Sequence, residues 1–286
     1  MNCHNIYHKM KSQVKVGVII RPLLPFERDA GSESAVKVIG NSKVYVQQQQ
    51  FEFDRAFSGG DGTSTQLLYD SLIKPLIDGV FDGYSATVFA YGQTGSGKTH
   101  TMGSGITAGC EATVSGIIPC TVRSIFEKKS LLEASGAVVT LDMSYLEIYK
   151  EECFDLLAEV VGGQGGQPEG LRPRLDMRDN TRGETIIEGL CSVTVGAEED
   201  VHRLLELAAR SRSTAKTAMN ARSSRSHAIA TFHLKIVTTS PSETGETTTL
   251  TLCSKMHLVD LAGSERVKKT QAAGDTLQEG ISINQR

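Results

Sequence analysis

An α/β fold, with helices flanking a mixed and mostly parallel β-sheet, is predicted by three features of this chain. Strand-like and helix-like segments alternate along most of its length, a glycine-rich loop joins one apolar strand run to a helix, and a later apolar run ends on Asp260. At 286 residues one large core can be buried, so a single folded unit over 14–286 is expected, with 1–13 as a disordered N-terminal extension.

The elements follow in order. Val14 to Ile20 is apolar and β-branched before Arg21-Pro22 stops it, which predicts a first central strand. Short strand signals recur at Ala35–Val46 and Phe51–Phe57, with Gln47–Gln50 as an exposed hairpin tip. Apolar spacing from Thr65 to Val80 is helical, and Pro75 must kink or interrupt it. Ala86–Tyr91 predicts a buried strand, Ile117–Leu132 a helix with Pro119 near its start, and Val138–Tyr149 a strand with Val139, Leu141, Met143 and Tyr145 on one face. Gly162–Pro168 has the composition of a flexible insertion. Val201, Leu204, Leu205 and Ala208 make the core stripe of an amphipathic helix, and two strands follow, one through Ala228–Ile236 and one through Thr248–Val259.

Composition narrows the partners. A net charge of −3 with 22% charged residues gives no global basic field for nucleic acid or anionic lipid. No apolar run is long enough to cross a bilayer and the start has no signal-peptide core, so a soluble intracellular protein is expected. The six cysteines are scattered without C-x-x-C pairs, which favours free thiols over a zinc site.

The glycine-rich loop fills G-x-x-x-x-G-K-[ST]. Gly92, Gln93, Thr94, Gly95, Ser96, Gly97, Lys98, Thr99 and His100 follow one another directly. Glycines let successive N–H groups turn inward onto phosphate oxygens, and the helix that follows adds its positive end. Lys98 is placed to reach the β- and γ-phosphates, and the Thr99 hydroxyl to ligate Mg²⁺. A nucleoside triphosphate site is implied.

Two more segments bear on the same chemistry. Asn220-Ala221-Arg222-Ser223-Ser224-Arg225-Ser226-His227 combines hydroxyls for a metal with guanidinium charge for a movable ion pair. Asp260-Leu261-Ala262-Gly263-Ser264-Glu265-Arg266 leaves a strand end, where Asp260 can hold Mg²⁺ through water and Gly263 lets a backbone N–H approach the γ-phosphate.

Together the three segments resemble the kinesin motor domain: phosphate loop GQTGSGKTHTM, switch I N-x-x-S-S-R-S-H and switch II D-L-A-G-S-E-R. Phe53–Phe57, Gly116–Pro119, Ser144–Tyr149, Thr217–Asn220 and Glu279–Asn284 agree with it, so the resemblance runs from about Val14 to Arg286. The surroundings of switch II look most like the chromokinesin, or kinesin-4, branch. The resemblance implies the phosphate-loop NTPase fold in its kinesin form and a microtubule-stimulated ATPase using ATP and Mg²⁺, in the cytoplasm on the microtubule cytoskeleton. Arg21, Pro22 and His100 would flank the adenine, while Thr99 and Ser224 would hold Mg²⁺ with Asp260 acting through water. The catalytic set would be Ser223, Ser224, Arg225, Gly263 and Glu265, with an Arg225–Glu265 ion pair closing the loops and Glu265 receiving the proton of the attacking water through a second water. Basic residues at Arg172, Arg174, Arg178, Arg182, Lys268 and Lys269 would meet acidic tubulin.

The chain also departs from that pattern. Ile19 stands where the family usually carries an Arg beside the adenine, Cys120 replaces a common Arg, and Ala208 and Ser211 replace a usual Gly and Asn. Arg286 falls where the long switch II helix should begin, so an incomplete gene product or gene model, with an exposed sheet face, is expected. The alternative is a non-motile fragment that binds nucleotide or tubulin without turnover. A small GTPase is disfavoured because no N-K-x-D run occurs.

Overall fold

The structure, a computed structural model, describes residues 14–59, 63–104, 116–158, 174–181, 183–214, 224–241 and 247–265. The chain forms two compact units that divide between Leu68 and Tyr69.

In the first unit, β1 (Gly17–Ile20) and β5 (Arg55–Ser58) pair in parallel, Val18 opposite Ala56. The sequence predicts β1 as a central strand. Its four residues are only half-buried, and among the described residues it pairs with β5 in a two-stranded sheet. α1 (Pro25–Asp29) starts on a proline, whose fixed φ suits the first turn, and the Glu27 carboxylate accepts the Leu24 N–H at 2.8 Å. β2 (Val36–Ile39), β3 (Lys43–Val46) and β4 (Gln49–Glu52) form an antiparallel meander. The expected four-residue glutamine tip is tighter: Gln49 and Gln50 belong to β4, and Gln47 turns the chain at φ 56°. α2 (Thr63–Leu68) ends the unit.

The second unit opens with one π-helical turn, Tyr69–Ile73, before α3 (Lys74–Phe81). Pro75 falls in the first turn of α3, where its missing N–H costs nothing, and the wide turn before it absorbs the mismatch. There follow β6 (Ala86–Ala90), α4 (Lys98–Met102), α5 (Ile117–Ala134), β7 (Val138–Tyr149), β8 (Glu152–Asp155), β9 (Arg174–Leu175), β10 (Met177–Asp179), β11 (Thr185–Ile187), β12 (Val193–Thr194), α6 (Glu198–Thr214), β13 (His227–Pro241) and β14 (Thr247–Asp260). The central sheet runs β6-β14-β13-β7-β8-β9, with β12 on β7. It is mixed, as expected, but among the described strands of this sheet only β14 and β6 run parallel. Close connections such as β7 to β8 require antiparallel neighbours, whereas β6 and β14 are far apart in sequence.

Register decides what each face carries. Val139, Leu141, Met143, Tyr145 and Glu147 of β7 lie opposite Ile236, Leu234, Phe232, Ala230 and Ala228 of β13, and all are buried. α3, α5 and α6 bring Ile77, Val80, Ile118, Val122, Ile125, Val201, Leu204, Leu205 and Ala208 to the core. Ser254 fixes α3 to β14 by donating to the Val80 carbonyl at 2.6 Å. A smaller cluster of Leu146, Cys153 and Leu175, with Ile148 and Ile229 against it, lies on the opposite face. β6 corrects one expectation: it alternates half-buried with exposed residues and Phe89 is 56% exposed, so it is not a fully buried strand. No helix among the described residues is long and apolar enough to cross a membrane.

Candidate nucleotide site

Three segments converge because of how three strands are arranged. β6 and β14 run parallel with Ala90 beside Asp260, so the loops leaving them emerge side by side. β13 runs antiparallel to β14 with Ala228 opposite Asp260, which brings the start of β13 to the same edge. Crevices beyond the carboxyl ends of parallel strands are where α/β sheets bind ligands.

The phosphate loop, Gly92–His100, follows β6. Gly97 caps α4 at φ 99°, a left-handed conformation that a side chain would strain. Ser96 closes a turn on the Gln93 carbonyl at 3.1 Å, while Thr94 and Gly95 are exposed and His100 lies exposed on α4. Lys98 folds over the loop, and its Nζ donates to the Gly92 and Gln93 carbonyls at 2.9 and 3.1 Å. Burial holds its ammonium below the usual lysine range, against the pull of Asp260 and Glu265.

The segment after β14 is bonded to both other segments. Gly263 N–H donates to the Ser224 carbonyl at 2.8 Å, and Ser264 N–H to the Gly92 carbonyl at 3.1 Å. The Glu265 carboxylate accepts the Thr94 N–H at 2.9 Å and the Thr94 hydroxyl at 2.6 Å. Burial would raise the Glu265 pKa, but the Thr94 bonds and nearby Lys98 outweigh it and hold the carboxyl below its ordinary range. A methyl at Gly263 would meet the Glu265 carboxylate and the Thr94 hydroxyl, so one of those side chains would have to move to admit it. Ser224 and Arg225 are half-buried, and Ser223 lies outside the described residues.

Asp260, 3% exposed, receives the Thr99 and Ser104 hydroxyls on Oδ2 at 2.8 and 3.0 Å. Its other oxygen, Oδ1, is buried with no hydrogen-bond partner among the described residues. An orphaned carboxylate oxygen beside a threonine hydroxyl fits Mg²⁺, a hard cation that takes one or two protein oxygens and completes its shell with phosphate and water. No cluster of three His, Cys, Asp or Glu side chains suited to a metal exists among the described residues.

Arg21 and Pro22 belong to the first unit, where Arg21 grips both Glu27 carboxylate oxygens at 2.7 and 2.6 Å and lowers the Glu27 pKa to about 2. Two participants escape the motif reading, and a third, His227, lies inside the octad without a role assigned to it. Ser104 lies beyond the loop pattern and carries no signal of its own. His227 accepts the Ala262 N–H on Nδ1 at 3.1 Å, and its place at the end of the serine-rich octad is the only hint. Arg212 is buried behind the site on α6. It follows Ala208 by four residues, so it continues the apolar stripe of its helix, and a charge on a core stripe is the signal that marks it.

Fold and site define a phosphate-loop nucleotide-binding domain of the α/β class. The chain belongs to the kinesin motor domain family, whose model matches residues 13–286. It is 40% identical over 96% of its length to the kinesin-like protein KIN-4C of Oryza sativa subsp. japonica, and 41% identical over 95% to the chromosome-associated kinesin KIF4A of Homo sapiens. The resemblance to the kinesin-4 branch is thus borne out. The chain spans 22% and 21% of the length of those two relatives. The solved structure of a fast kinesin, described with implications for its ATPase mechanism and interactions with microtubules, aligns with a TM-score of 0.76 at 33% identity, over 95% of this chain and 71% of that one.

Proposed function

We propose that this chain is a microtubule-stimulated ATPase, with residues 14–286 acting as one motor domain and 1–13 as an extension. The observation that carries it is the double tether of one short loop. The amides of Gly263 and Ser264 reach Ser224 on one side and Gly92 on the other, so a change at a terminal phosphate is felt by all three segments together.

ATP is the nucleotide. Lys98 exchanges its loop carbonyls for phosphate oxygens, and the amides of Gly92–Thr99 provide the cradle. Thr99 and Ser224 would hold Mg²⁺, with Asp260 supporting it through water, and the bound ion would neutralise phosphate charge. Gly263 gives up the Ser224 carbonyl to donate to the γ-phosphate. Glu265 releases Thr94, is held by its ion pair with Arg225 and receives, through a second water, the proton of the attacking water, helped by Ser223 and Ser224. Arg21, Pro22 and His100 serve the adenine. Catalysis is positioning and charge placement, and the gained and lost contacts of Gly263 and Glu265 are its mechanical output.

The track is the acidic surface of a microtubule, which places the chain in the cytoplasm on the cytoskeleton. Arg174 and Arg178 support this. Both are exposed and form surface ion pairs, to Glu152 at 3.0 Å and Glu188 at 3.1 Å. Such pairs are worth about 0–1 kcal/mol, little enough for a denser acidic surface to displace. Steady-state phosphate release with and without polymerised tubulin tests the reading. Stimulation by tubulin supports it, and ATP binding without release at any tubulin concentration contradicts it in favour of a non-motile binding module.

A further inference from the structure

Behind the nucleotide site the sheet carries a row of alternating character. β7, β13 and β14 set Glu147, Ala228 and Asp260 side by side on the helix-covered face. Two strand spacings separate the carboxylate-bearing positions, about 10 Å. The residue between them is a fully buried alanine, which leaves room over the middle strand. Arg212 comes to this place from the end of α6. Its Nε lies 3.5 Å from Glu147 Oε1, and its Nη2 donates to Ser226 Oγ at 3.1 Å. The side chains are 9% and 0% exposed for Arg212 and Glu147, and Ser226 is 0% exposed. Tyr145, next along the same face, has its phenol pushed up to about 12, burial prevailing over the opposing pull of Arg212.

Stability does not explain a charge here. Taking an arginine and a carboxylate out of water loses about as much as their attraction returns, and apolar residues of similar volume often stabilise as well or better. The geometry is also uneven. At 3.5 Å, with Nε lacking a hydrogen-bond partner among the described residues, the contact to Glu147 is electrostatic, whereas the contact to Ser226 is a hydrogen bond. A guanidinium fork can span two such partners at once and an apolar side chain cannot. Ser226 is one residue past Arg225 and two past Ser224, whose carbonyl takes the Gly263 amide.

We propose that Arg212 is a positioning residue for the phosphate-sensing loops: braced against Glu147 on β7, it fixes Ser226 and thereby the register of Ser224 and Arg225 against Gly263. Its effect on turnover rests on the ATPase reading above, and its effect on loop geometry does not.

The test uses the full chain in three forms: Ser226→Ala, Arg212→Lys, and the double replacement of Arg212→Met with Glu147→Met, which removes both charges together. Two readouts are taken, ATP turnover and amide hydrogen exchange. Each form is expected to lose kcat about tenfold or more, the scale set by one charged hydrogen bond, with KM for ATP within about twofold. The Gly263 amide should exchange about tenfold faster while amides of β7 and β13 keep their protection. Lysine keeps the charge but has no fork, so it should fail to rescue. Wild-type kcat and wild-type Gly263 protection in Ser226→Ala would overturn the proposal, as would full rescue by lysine. If the unaltered chain hydrolyses no ATP, the ATPase reading fails alone, and Gly263 exchange still decides this one. If the double variant does not fold, Ser226→Ala, which removes only a hydroxyl, decides it.

Discussion

Glu265 and Thr94, 171 residues apart, are joined by two hydrogen bonds, amide and hydroxyl both donating to one carboxylate. Thr94 belongs to the loop whose amides would otherwise face phosphate oxygens, so a protein carboxylate and the nucleotide compete for the same donors. Glu265→Ala should therefore bind ATP at least as tightly as the unaltered chain, yet lose hydrolysis by about 10²-fold or more through the missing proton acceptor. Nucleotide-binding kinetics paired with single-turnover phosphate release checks both halves. Weakened binding with preserved chemistry would be the wrong pattern.

Gly263→Ala puts a methyl into the space shared by the Glu265 carboxylate and the Thr94 hydroxyl. One of the two must move and the tether to Ser224 shifts with it. Turnover should fall about 10²-fold, because small misplacements near reacting groups are costly, while the melting temperature changes little. Steady-state kinetics alongside thermal unfolding separates a local effect from a folding defect.

Thr99→Ala removes one of the two hydroxyls on Asp260 Oδ2 and a proposed metal ligand at the same time. The Mg²⁺ concentration for half-maximal activity should rise about tenfold or more, with little change in unfolding free energy at saturating metal. A magnesium titration at fixed ATP measures it. Ser104→Ala, which loses only the 3.0 Å bond to Asp260, should show a smaller shift in the same direction.

His233 and His257 stand half-buried on β13 and β14, bonded to Ser144 and Thr231 at 3.2 and 2.9 Å. Burial first, then Lys255, lowers both pKa values below the ordinary 6.5. The folded state therefore holds them neutral where the unfolded chain takes up protons. Their neutral form costs no stability above about pH 6.5, and stability drains as pH falls from there through the lowered values. Melting temperature should drop between pH 7.5 and 5.5, and His233→Gln with His257→Gln should flatten that slope. An unchanged slope in the double variant would assign the dependence to other groups.

Much of the fold was legible because long elements have strong periods. β7 runs Val138–Tyr149, the bounds its alternation marks, and the Val201–Ala208 stripe lies within α6. The phosphate loop and the segment after Asp260 were legible because glycine, lysine and acidic residues at fixed spacing have few other uses. What stayed hidden depends on distant partners. No local pattern says that β1 pairs with β5, that one side of β6 is open, or that Glu265 faces Thr94. Pro75 marks an interruption, but not that a π-turn resolves it. Glu147 and Arg212 were half-legible: each prolongs a core stripe, and only burial shows that the two charges meet there. The serine-rich octad is described only from Ser224, so Ser223 and Arg222 have no placement, and the same holds for Arg172, Arg182, Lys268 and Lys269.

The most direct measurement is a crystal structure of this chain with Mg²⁺ and a non-hydrolysable ATP analogue. Convergence of the three segments on one triphosphate predicts the terminal phosphate within hydrogen-bond reach of Lys98 Nζ and the Gly263 amide, with the metal on the Thr99 and Ser224 hydroxyls. A terminal phosphate bound away from Gly263, with Glu265 still on Thr94, would contradict the account.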